Sequence, residues 1–120
     1  MDKMIAKIAA LGVPGLVLVI AIGATGLAGG AAITAALAAL GPGGMIGGIV
    51  TLGAMGLVSE AVAEYGIDAI FTGVVKELYK RGETKDSIIN KINKYPVSIG
   101  LKSKLIESLD KVEKKNSNEQ

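Results

Sequence analysis

Apolar and polar positions are distributed very unevenly along this chain. Lys7 and Glu60 are consecutive charges, with 52 uncharged positions between them, 13 of them glycine. A bilayer core needs about 20 apolar residues per helical crossing. The run is therefore long enough for two crossings and a turn. Ile5 to Ile22 reads as a first hydrophobic helix, with Pro14 either kinking it or marking its real start. The stretch Ala31–Leu40 reads as a short helix of about 15 Å. Gly41-Pro42-Gly43-Gly44 then breaks the chain, and Met45 to about Val58 forms a second short helix. Residues 31–58 are either one kinked crossing or a hairpin turning at the break, and the hairpin is the preferred reading.

Beyond the run, the period changes. From about Ala54 to Arg81, Glu60, Glu64, Asp68, Thr72, Lys76 and Lys80 recur at every fourth position. They predict one amphipathic helix over 54–82 with a single polar stripe. Lys80, Arg81 and Gly82 mark its end, the glycine suiting a left-handed cap. Thr84 is a suitable N-cap for a helix through Lys94, with Ile88, Ile89, Ile92 and Tyr95 on its apolar face. Tyr95-Pro96 ends that helix. Ser98 caps a last one, with Leu101, Leu105, Ile106, Leu109 and Val112 inward. Residues 84–113 thus form a charged helical hairpin that needs a partner surface. Residues 114–120 read as a disordered tail.

The glycines have a second property. Gly23, Gly26, Gly29 and Gly30, then Gly43, Gly44, Gly47 and Gly48, fall at three- and four-residue spacings. Gly26–Gly30, Gly43–Gly47 and Gly44–Gly48 are true GxxxG pairs. Small residues at that spacing let helix backbones approach closely in lipid. These eight glycines are the candidate packing faces, whether toward a second copy in a homo-oligomer, the expected partner, or toward another segment of this chain.

Composition narrows the chemistry. The chain of 120 residues is half hydrophobic but only 3% aromatic, with no Cys and no His. Disulfides, Cys/His zinc sites and His-based triads are excluded within it. No phosphate loop or dinucleotide fingerprint is present. The net charge of +2 hides a division. Residues 1–59 carry only Asp2, Lys3 and Lys7, and the rest is mixed in sign and close to neutral. That is ordinary solvated surface and gives no case for nucleic acid. No enzyme, cofactor or metal is expected. Lys3 and Lys7 before Ile8–Ile22 have the layout of a secretory signal, but the hydrophobicity runs far past any cleavage point.

The acids Glu60, Glu64 and Asp68, with Thr72 and Lys76, are the candidate pore lining or polar seam. The plainer alternative is a helix lying at a membrane surface with its stripe in water. Basic residues flank the apolar run on both sides, which puts both termini in the cytoplasm by the positive-inside rule.

Residues 23–59 add a resemblance. Gly23-Ala-Thr-Gly-Leu-Ala-Gly-Gly-Ala-Ala-Ile-Thr-Ala-Ala-Leu-Ala-Ala-Leu, a Gly-rich break and Leu52-Gly-Ala-Met-Gly-Leu-Val-Ser59 resemble the interferon-inducible small hydrophobic protein family. Met55 stands where Thr is common in that family. The resemblance covers about a third of the chain and implies a small membrane protein linked to permeability, cell death or innate defence. It supplies no catalytic residues. The Lys/Asn/Ile-rich segment 84–120 departs from the family pattern and has a bacterial style.

The sequence thus predicts an all-α, small membrane-associated helical bundle with Gly/Ala-rich hairpins and a C-terminal amphipathic hairpin. Its expected domains are a hydrophobic region 1–59, the striped helix 54–82, the hairpin 84–113 and the tail. Its expected function is self-association in a lipid bilayer that perturbs or permeabilises the membrane. The alternatives are a soluble helical self-assembly or interaction module docking a protein at 84–113, and a bacteriocin-like peptide or its immunity protein.

Overall fold

The two halves of the apolar-to-amphipathic pattern resolve into a helix wrapped by helices. The computed structural model describes residues 2–23, 52–95 and 99–119. Among them it has six helices and no strand: α1 (Asp2–Ala9), α2 (Val13–Gly23), α3 (Leu52–Tyr65), α4 (Ile67–Lys80), α5 (Lys85–Lys94) and α6 (Ile99–Glu119). The radius of gyration is 13.1 Å, close to the ~13–14 Å expected of a compact domain this size.

α2 is the centre. Every residue from Val13 to Ile22 is buried. A helix that is apolar on all faces must be covered on all faces. Here α1, α3, α4, α5 and α6 all pack on it. Each brings an apolar stripe: Ile5 and Ile8 from α1, Val58 and Ala61 from α3, Ile70, Phe71, Val74, Val75 and Leu78 from α4. The described core contains no buried polar side chain, so it is held by burial at about 25 cal/mol per Å2 of apolar surface rather than by directional bonds.

Three expected elements take a different form. The expected helix over Ile5–Ile22 is two helices, α1 and α2, bent by 116° at residues 10–12. Gly12 makes the corner with φ +77°, a region in which only glycine sits without strain. Pro14 lies in the first turn of α2, where its missing N–H is not needed. Among the described residues, no single helix is long and apolar enough to cross a membrane.

The expected helix over 54–82 is also two. Gly66, at φ +88° and ψ 152°, separates α3 from α4. That conformation costs glycine little and any other residue a good deal. The four-residue periodicity runs through Gly66 unbroken, so periodicity gives no warning of the break. Last, α6 continues through Glu119, past Lys114 where a disordered tail was expected.

The end signals between α4 and α5 form as expected. Gly82, at φ +102°, closes α4. Gly82 N–H donates to Tyr79 O at 3.1 Å and Glu83 N–H to Leu78 O at 3.0 Å, the bond pair of a Schellman motif. Thr84 caps α5: Ser87 N–H donates to Thr84 Oγ1 at 3.1 Å and Thr84 N–H to Ser87 Oγ at 2.9 Å. This is a reciprocal capping box with serine in place of the usual Glu or Gln.

Ile88 and Ile92 of α5, and Leu101, Leu105, Leu109 and Val112 of α6, are buried. The partner surface that the 84–113 hairpin needs is supplied by α2 and α4 of the same chain.

Candidate functional site

The break at Gly66 divides the polar stripe. Glu60 and Glu64 stand exposed on α3. Asp68, Thr72 and Lys76 belong to α4, where Asp68 and Lys76 are exposed and Thr72 is half-buried. The five residues therefore do not form one continuous helical edge. Beside them the Tyr65 phenol is pushed above its ordinary pKa by its hydrogen bond to the Glu64 carboxylate.

Asp68 and Thr72 sit on a ridge between two clefts. One, of about 200 Å3, opens between α4 and α6 and has Ile20, Phe71 and Val112 among its walls and Lys111 and Lys115 among its polar groups. The other, of about 480 Å3, lies between α1 and α4 and includes Asp2, Lys76, Glu77, Lys80 and Lys115. Both contain Asp68, Thr72 and Lys115. The second cleft carries three acids and three lysines, so it has no net charge. Its chemistry is mixed polar surface. Among the described residues, no group of three or more metal-binding side chains converges.

Of the glycines singled out as packing faces, Gly23 is placed at the end of α2. A Cβ there would come 2.1 Å from Ile67 Cδ1 and 3.1 Å from Ile67 Cβ, so its bareness lets α2 meet the start of α4. The other seven, Gly26, Gly29, Gly30, Gly43, Gly44, Gly47 and Gly48, lie outside the described residues. So do the Gly41–Gly44 break and Ser98. Two further close-contact glycines are absent from that set. Gly15 abuts Ile8 O at 2.4 Å from a built Cβ, and Gly73 faces Ile5 Cδ1 at 2.3 Å.

A second group of residues fastens the outer helices. Tyr79 Oη donates to Glu113 Oε1 at 2.5 Å, joining α4 to α6. Burial and then this bond push the phenol well above its ordinary range. Lys85 Nζ pairs with Asp110 Oδ1 at 2.6 Å, joining α5 to α6, and the bond to Asp110 raises the lysine's pKa. Lys102 Nζ donates to Asn93 O at 3.2 Å. Lys91 Nζ pairs with Glu83 Oε2 at 2.5 Å. The hydrogen bonds from Lys91 and then Ser87 hold the Glu83 carboxyl below its ordinary value. Sequence reading missed these pairs. Tyr79 and Glu113 are 34 residues apart on different helices, and only the chain's three-dimensional path brings them together.

No protein family, no curated protein and no solved structure compared with this chain matches it.

Proposed function

We propose that this chain is a small self-associating membrane protein that permeabilises a membrane, in the manner of a cell-death or defence effector. One observation carries the reading. The fold's central helix, α2, is apolar on every face and buried along its length, and it leads directly into the rest of a 52-residue run without a charge. A globular helix normally keeps a polar edge. A stretch with none is as well suited to lipid as to a protein interior. The outer helices supply what such a protein needs in water, since α4 and α5 each have one apolar and one polar side. The resemblance of 23–59 to the interferon-inducible small hydrophobic family supports the same reading, as do the GxxxG spacings. With basic residues on both sides of the run, both termini would face the cytoplasm.

The test is leakage of an entrapped dye from lipid vesicles, paired with carbonate extraction of membranes from expressing cells. Leakage rising with protein concentration, and retention in the carbonate pellet, are the expected results. Purification as a defined species that leaves vesicles intact and is stripped by carbonate would sink the proposal.

That outcome would favour a second reading, a soluble helical self-assembly or interaction module. Its specific support is that α2 is covered by helices of its own chain. The stripe has its own test within the first reading. If Glu60→Gln, Glu64→Gln and Asp68→Asn together leave ion flux unchanged, the acids take no part in conduction.

A further inference from the structure

Three features meet along one edge of the fold. The first is a seam that does not close. The cleft of about 200 Å3 between α4 and α6 has Ile20 of α2 in its lining, with Ile20 itself buried. The second is a corner. The segment Arg81–Thr84 is the described link from α4 to the α5–α6 hairpin, and its Gly82, at φ +102°, has nothing within 4 Å of a built Cβ. Gly82 is exposed, while Arg81 before it stays with α1, its Nη2 donating to Ala6 O at 3.5 Å. The third is the distribution of polar bonds. Lys85–Asp110 and Lys102–Asn93 O tie α5 to α6, which makes the hairpin one body. Tyr79–Glu113 ties that body to α4.

We propose that α5–α6 is a clamp over α2, held by the Tyr79–Glu113 hydrogen bond, and that its opening about Arg81–Thr84 bares α2 while α1–α4 stay folded. Baring α2 is the step by which the permeabilising activity would begin, so the purpose of the clamp rests on that reading, whereas its motion does not. Elements that move are drawn from the low-stability end of a structure. This hairpin is C-terminal, and its buried side chains Ile88, Ile92, Leu101, Leu105, Leu109 and Val112 set what its opening costs.

Because the chain has no cysteine, a single introduced thiol reports on the opening. Ile20→Cys places it at the cleft floor and Val58→Cys in α3, both buried positions. With no lipid present, the thiol at 20 is expected to react with a maleimide several times faster than the thiol at 58. Tyr79→Phe, which removes a bond to a charged acceptor, is expected to speed the reaction at 20 about tenfold. Glu113→Gln, which keeps an acceptor but not its charge, should give a smaller increase. Equal, slow reaction at both positions would mean that only whole-molecule unfolding exposes α2, and the clamp would be refuted.

A second arm uses Tyr79→Cys with Glu113→Cys, joined by a bismaleimide. Vesicle leakage should be lost in the joined form and return in the unjoined form. Equal leakage from both forms overturns the proposal. Faster reaction at 20 with no leakage from any form keeps the clamp and removes the membrane reading instead.

Discussion

At Gly15 a single hydrogen in place of a methyl group holds α2 against α1. A Cβ built there lies 2.4 Å from Ile8 O, a backbone atom that cannot turn aside. Gly15→Ala should cost about 1–3 kcal/mol by overpacking, outweighing the ~1 kcal/mol that alanine gains in a helix. Gly56 on α3 makes the control, because its built Cβ meets nothing within 4 Å among the described residues. Gly56→Ala should stabilise by roughly 0.5–1 kcal/mol. Urea unfolding of both variants measures the pair, and a neutral Gly15→Ala would show that the α1–α2 corner yields. The glycine count cannot separate these roles. Gly15 and Gly56 look alike in a row of letters and differ only in what stands opposite.

The best-predicted elements are those ended by local chemistry. Gly82 and Thr84 act over three or four residues, and both do in the fold what their types imply. Thr84→Ala should cost about 1 kcal/mol through loss of the cap. Leu105 and Leu109 of α6 are completely buried, and either change to alanine should cost about 2–5 kcal/mol. Thermal or urea denaturation reads both effects, and a cost near zero at Leu105 would mean that α6 contributes little to the core. The inward face of 101–112 was legible because its spacing is helical. What it packs on was not, since an apolar stripe fits any apolar surface. The same limit hid the break in the stripe at Gly66. Of the candidate site residues, sequence placed the five correctly on helices and wrongly on one helix, since a left-handed backbone angle leaves no mark on periodicity.

Among the described residues the core holds no buried polar side chain, so the pH dependence they carry lies in the surface pairs. The Glu83 carboxyl is held low by Lys91 and Ser87. Its stabilising effect is present above the ordinary carboxylate pKa and is lost as pH falls through the lowered value. Tyr79 has the opposite sign. Its raised pKa gives stability that is complete below the ordinary tyrosine value of ~10 and is lost as pH rises above it. Urea midpoints should therefore fall at both extremes. Glu83→Gln should flatten the acid limb and Tyr79→Phe the alkaline one. A Tyr79→Phe protein with an unchanged alkaline limb would show that this phenol carries none of it.

The corner at residues 10–12 has a consequence of length. Folded at 116°, α1 measures about 12 Å and α2 about 16 Å at 1.5 Å per residue, and neither matches the thickness of a bilayer core. Drawn out as one helix, Asp2–Gly23 would measure about 33 Å, against a hydrocarbon core of about 30 Å. Straightening would bring Lys3 and Lys7 to one end, leaving Ile8 onward uncharged over only about 24 Å. The left-handed turn at Gly12 thus fixes the segment at two short lengths, both of which fit inside the globule.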